Sequence, residues 1–250
     1  MTRRGPRLAI RAPPLYNPAP SYGTDPNMAR SATDILADAR QRMVDSQIRP
    51  NRVSDPRILA AMRHLPRERF LPISLEALAY ADQTIKLGDG RVLLQPMMLA
   101  RLLQAAEPSP GEKVLVVGAG TGYSAAVLSE CGCAVTALED SPALHAQAKT
   151  ILAELTPSVT LVSGPLPAGW PQGAPYDLIL IDGAVPAVPA NIASQLNRET
   201  GRLVTIISEG PHAGHAVQAE PTSAGVSVRA LFDCLCPVVP GFARAPAFEF

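Results

Sequence analysis

Two carboxylates and three glycines carry the chemistry that can be read from this chain. Gly118, Gly120 and Gly122 alternate at the end of the apolar run Val114-Leu-Val-Val117. A buried strand that stops on such a loop lets a ligand approach the backbone with no Cβ in the way. Residues 123–130 then have helix-compatible spacing, so the first amides of that helix face the same ligand. Glu139 follows a second apolar run, Ala134–Leu138, and stands 21 residues beyond Gly118. That is the usual separation for an acid that accepts the hydroxyls of a cofactor ribose. Asp182 follows a further run, Leu178–Ile181, at the edge where open α/β sheets present ligand-facing groups.

The glycine spacing selects the cofactor. A dinucleotide fingerprint needs Gly-x-Gly-x-x-Gly or Ala, its third small residue allowing close helix–strand packing with a pyrophosphate over the helix end. Here that third position is Tyr123, and the extra glycine falls one residue early. Gly-x-Gly-x-Gly suits S-adenosylmethionine (SAM), which has no pyrophosphate to accommodate. The expected cofactor contacts are Gly118, Ala119, Gly120, Gly122 and Tyr123 around the methionine part, with Glu139 and Asp140 at the ribose. Gly164 and Leu166 border the adenine, and Asp182 positions either the SAM amine or the methyl acceptor. A nicotinamide-dependent oxidoreductase is disfavoured by Tyr123 and by the lack of a recognisable catalytic dyad.

Around these residues the elements alternate. Strands are expected at Lys113–Val117, 134–138, Val159–Val162, Leu178–Ile181 and Arg202–Ile207, with Val217–Ala219 and Val226–Phe232 closing the sheet. Helices are expected at Gln95–Glu107 and 123–130. Strands and helices alternating at this spacing imply an α/β fold, a doubly wound, mostly parallel Rossmann-like sheet. Residues 31–94 form an N-terminal helical cover on the substrate side. There Ser31, Thr33 and Asp34 cap a first helix, whose apolar stripe is Ile35, Leu36, Ala39, Met43 and Val44. Pro50 ends it, Asp55-Pro56 opens a second, and Leu75–Tyr80 adds another turn. The SAM-binding core spans 95–210, and 211–250 supply closing strands and a tail that packs onto the body.

Composition narrows the function classes. Lys plus Arg total 22 and Asp plus Glu total 22, so there is no basic excess to draw nucleic acid. No apolar run approaches the roughly 20 residues that a membrane helix needs. Cys131/Cys133 and Cys234/Cys236 are Cys-x-Cys pairs, not the Cys-x₂₋₄-Cys of structural zinc, and read as small buried hydrophobes. The four histidines are scattered, and no metal is expected. With neither a disulfide framework nor an export signal, the expected compartment is the cytoplasm. The Pro/Arg-rich residues 1–30 are expected to be disordered.

Several segments, in order, resemble the protein-L-isoaspartate O-methyltransferase family. They are Met43-Val-Asp-Ser-Gln-Ile48, Gln95-Pro96-Met97, the run from Val114 to Ala126, and Tyr176 to Ala184 followed by Val188-Pro189. Gln195-Leu196 and Gly201-Arg-Leu-Val204 complete the set. The resemblance implies transfer of a SAM methyl group to the α-carboxylate of isoaspartyl residues, with a protein or peptide as partner. It also places Gln95 beside Asp182 among the catalytic residues. Three positions depart from the family pattern. Leu94 stands where the family has a serine whose hydroxyl lies close to the reacting carboxylate. Pro165 replaces an acid that helps to hold adenine, and Val116 replaces an acid two residues before the first glycine. These departures leave room for a SAM-binding relative that acts on another acceptor or serves as a regulatory module.

Overall fold

The computed structural model describes residues 31–210 and 213–242. The chain opens with α1 (Ala32–Arg42), whose N-terminus carries a full capping box between Ser31 and Asp34. It runs on through a π-helical turn, Met43–Ile48, before Pro50 ends it in a 3₁₀ turn. Of the expected stripe, Met43 and Val44 are fully buried and Leu36 and Ala39 only partly, while Ile35 is 55% exposed. α1 touches the core through Leu36 and Ala39, and the fully buried residues lie in the π-helical turn that follows it. α2 (Pro56–His64) starts on proline with the Asp55 carboxylate accepting from the Arg57 amide. The expected turn at Leu75–Tyr80 is a 3₁₀ stretch, Ile73–Leu78.

A hairpin follows, β1 (Ile85–Gly88) and β2 (Arg91–Leu93), which pair with each other as a separate two-stranded sheet. After α3 (Pro96–Ala106) comes the main sheet. β3 (Lys113–Val117), β4 (Ala134–Glu139), β5 (Thr160–Ser163), β6 (Leu178–Val185) and β7 (Arg202–Ser208) are parallel. β8 (Gly214–Thr222) and β9 (Gly225–Asp233) return antiparallel, giving the order β5-β4-β3-β6-β7-β8-β9. α4 (Tyr123–Glu130), α5 (Pro142–Leu155) and the short α6 (Ala190–Ala193) connect the strands.

Alternation along the strands divides the core between two faces. Val114, Val116, Leu178, Leu180, Val204 and Ile206 pack against the N-terminal cover, α3 and α4. Leu115, Val117, Ile179, Ile181 and Leu203 pack on the other face against Leu166, Tyr176, Ile192 and Val239. β6 runs four residues past its expected end, through a register break between Leu180 and Ala184. Gly183 sits in that break at φ +150°, where a Cβ would lie 2.4 Å from Val239. Val239 donates its amide to the Ala184 carbonyl at 2.8 Å, so this part of the tail packs alongside β6. Residues 1–30, His212 and the end of the tail, 243–250, lie outside the described residues.

Candidate active site

β3 delivers the glycine loop to the carboxyl edge of the sheet. Gly118, Gly120 and Gly122 adopt φ values of +74°, +57° and +97°, a region open to glycine at little cost. The amides of Gly118 and Ala119 both donate to the Leu138 carbonyl, at 2.9 and 3.1 Å, so the loop wraps over the end of β4. The Gly120 amide donates to Glu139 Oε2 at 2.8 Å. A Cβ on Gly122 would meet Leu152 at 2.9 Å, so its bare backbone lets α4 sit against α5. Tyr123, expected at the cofactor, points its side chain elsewhere. Its buried ring lies edge-on to Phe70 at 5.1 Å with the Arg67 guanidinium 4.7 Å from its centroid, which locks α4 to the N-terminal cover.

Glu139 is fully buried at the end of β4. Its Oε1 accepts from the amides of Asp140 and Ser141, at 3.1 and 2.9 Å. Its Oε2 accepts from Gly120 and also from Arg91 Nε at 3.3 Å. Arg91 comes from β2 and is itself buried, with a second ion pair to Asp140 and its Nη1 without a partner. The rest of the hairpin reaches the same place. Leu87 lies 3.1 Å from where a Gly120 Cβ would be, and Ser141 donates to Asp89 at 2.5 Å. Leu166 and Val239 approach the Cβ position of Gly118 to 3.5 and 3.6 Å, and Trp170 lies 3.5 Å from that of Gly164.

The residue types suit a SAM nucleoside, and in this arrangement side chains of the hairpin and tail pack over the glycine loop. The glycines expected to stay open are covered by Leu87, Arg91, Leu166 and Val239, and the ribose acid is paired within the protein. Burial and charge pairing account for the difference. Apolar surface of the hairpin and tail is removed from water against the loop, and Arg91 compensates a desolvated carboxylate.

Asp182 lies in the β6 register break, buried, with Oδ2 accepting from the Ser124 hydroxyl and Oδ1 without a partner. Burial raises its carboxyl to about 7, while Ser124 and the nearby Arg67 act the other way. Arg67 is fully buried and donates to the carbonyls of Ala79 and Leu94. The desolvation lowers the affinity of its guanidinium for its proton. Leu94 is 1% exposed, its side chain part of the core. Gln95 does not join Asp182 or Glu139. It caps α3 and lines an outer groove with Met97, Met98, Arg101, Phe232 and Leu235.

Arg91, Ser124, Leu87 and Val239 were not among the expected site residues. The turn residues Gly88-Asp89-Gly90, between two short apolar runs, are a hairpin signal that points toward the first and third of them. Nothing local marks Ser124 or Val239, whose partners are distant in sequence.

Comparison with known proteins agrees with this architecture. Residues 38–234 match the family model described as protein-L-isoaspartate(D-aspartate) O-methyltransferase. A protein-L-isoaspartate O-methyltransferase of Methylorubrum extorquens (strain PA1) is 41% identical over 181 residues, covering 72% of this chain and 78% of its own length. Protein-L-isoaspartate O-methyltransferase 1 of Rhodopseudomonas palustris (strain HaA2) is 39% identical over 206 residues, 82% of this chain and 83% of its own. A solved protein-L-isoaspartate O-methyltransferase superposes with a TM-score of 0.71 at 25% identity, covering 81% of this chain and 67% of its own. A Plasmodium falciparum chain solved with S-adenosyl-L-homocysteine shares the fold at a TM-score of 0.69 and 16% identity, covering 81% of this chain and 98% of its own. The chain belongs to the protein-L-isoaspartate(D-aspartate) O-methyltransferase family.

Proposed function

We propose that the chain is a SAM-dependent carboxyl O-methyltransferase acting on isoaspartyl residues of proteins or peptides. The observation that carries this reading is the join between the glycine loop and Glu139. A positive-φ loop at the end of β3 hydrogen-bonds, through Gly120, to the acid at the end of β4. Relatives near 40% identity that bear this activity in their names support it across most of the chain. Gly118, Ala119, Gly120, Glu139, Asp140, Gly164, Leu166 and Asp182 surround the place where the cofactor belongs once the hairpin and tail withdraw.

A carboxylate acceptor suits what the chain supplies. It is ionised at neutral pH, so alignment can provide the acceleration without a general base. Leu94, buried beside Arg67, contributes no hydroxyl to it. Asp182 offers the acceptor a carboxyl oxygen without a partner, and in its protonated form it donates a hydrogen bond and does not repel an anion. The four cysteines are all unpaired, which fits a reducing cytoplasm.

The test is incubation of the full chain with methyl-labelled SAM and an isoaspartyl peptide. Label in the peptide that mild base releases as methanol is the expected result. Tight SAM binding with no transfer to the peptide overturns the isoaspartyl reading and leaves a binding module.

A further inference from the structure

We propose that the Arg91 guanidinium occupies the ribose position of this site, so that the hairpin and the cofactor compete for the Glu139 carboxylate. This rests on the reading above that the chain binds SAM.

A carboxylate offers about four acceptor positions. In Glu139 they are met by the amides of Asp140, Ser141 and Gly120 and by Arg91 Nε. Three of these donors are backbone groups beside the carboxylate, fixed by β4 and the glycine loop. Only the fourth is a side chain from a separate element. A ribose diol therefore reaches Glu139 by replacing Arg91 and by no other route. The same exchange frees Asp140, which Arg91 also holds.

The hairpin is built to be exchanged. β1 and β2 bond to each other and to no strand of the main sheet, so their withdrawal leaves the seven-stranded ladder intact. A two-stranded hairpin is marginal alone and depends on what it packs against. Ile85 and Leu93 root its base in the core, while its tip is held by Leu87 against Gly120, Asp89 to Ser141, Arg91 to Glu139 and Asp140, and Gly90 against Pro240. All but the last of these tip contacts grip residues at or beside the cofactor position. The pair itself is imperfect: Arg91 Nε stands 3.3 Å from Glu139, and its buried Nη1 has no partner. A desolvated pair in that condition gives up its partner more readily than a fully satisfied one.

The experiment is calorimetric titration of S-adenosylhomocysteine into the native chain and Arg91→Gln, with hydrogen exchange on the native chain alone. If the open form is the minor one, Arg91→Gln should lower Kd about tenfold. In the native chain, the product should speed exchange of the 85–93 amides while 114–117 stay protected. Equal or weaker binding by Arg91→Gln, or hairpin amides that become more protected on binding, overturns the proposal. The exchange measurement needs no variant, so a misfolded Arg91→Gln does not spare it. If neither protein binds S-adenosylhomocysteine, the SAM reading falls and the proposal with it. If both bind alike, only the competition falls.

Discussion

Ser124, in the first turn of α4, donates its hydroxyl to Asp182 in β6 across 58 positions of chain. This bond ties the helix that follows the glycine loop to the strand beside it. It satisfies one carboxylate oxygen and leaves the other buried without a partner.

The pH dependence follows from that burial. Asp182 titrates near 7 in the folded chain, against 3.8 for the free group. Between those values the folded form keeps a proton that the unfolded form has lost, so stability declines as pH rises through the window and levels off above it. Asp182→Asn should raise Tm relative to the native chain at about pH 8 and leave it unchanged near pH 3.5. Methyl transfer to a carboxylate acceptor should fall as pH rises through about 7, because ionised Asp182 repels the acceptor. A rate that climbs through the same range contradicts this role.

Leu94 tests whether the departure from the family serine is a matter of packing. Its side chain is in the core at 1% exposure. Leu94→Ser removes buried methyl groups and adds a hydroxyl to an apolar site, at a cost of about 3 kcal/mol. Urea unfolding should show the lower midpoint. An unchanged midpoint places Leu94 outside the core and reopens it as a group that faces the acceptor.

Much of this fold is legible in the residues, because strong local signals coincide there with tertiary demand. β3 occupies its expected residues, and the acid at the end of β4 lies where the spacing from Gly118 puts it. β8 and β9 are longer than expected: pairing with a neighbour extends a strand beyond its apolar stretch. α5 begins on Ser141-Pro142, an ordinary cap that is easily read as part of the preceding loop. The plug over the glycine loop was not legible. Arg91 lies in a segment expected to be helical cover and carries no local sign of burial; Glu139 and Asp140, 48 and 49 residues on, make that burial tolerable.

Gly122 and Gly111 separate packing from backbone strain. Both have φ well above zero, +97° and +85°, but a Cβ on Gly122 meets Leu152 while one on Gly111 meets nothing within 4 Å. Gly111→Ala should cost about 1 kcal/mol, the backbone contribution alone. Gly122→Ala should cost about 2 kcal/mol, because the buried Leu152 side chain must also shift. Equal losses in chemical denaturation refute the packing role.

The cysteines should be slow to react. Burial pushes the Cys131 thiol up to about 12 and the Cys133 thiol to about 11, so neither is a thiolate at neutral pH. Iodoacetamide should label both at least tenfold more slowly than free cysteine near pH 7.5, and at comparable rates only after denaturation. Rapid labelling of the folded chain shows that α4 and β4 open there.

The decisive comparison uses two peptides of one sequence, one with an isoaspartyl linkage and one with normal aspartate, each incubated with methyl-labelled SAM. The native chain should esterify the isoaspartyl peptide alone, and Glu139→Gln should lose that activity through a raised KM for SAM. Label in both peptides alike, or in neither while SAM is bound, contradicts an enzyme that reads the isoaspartyl carboxylate.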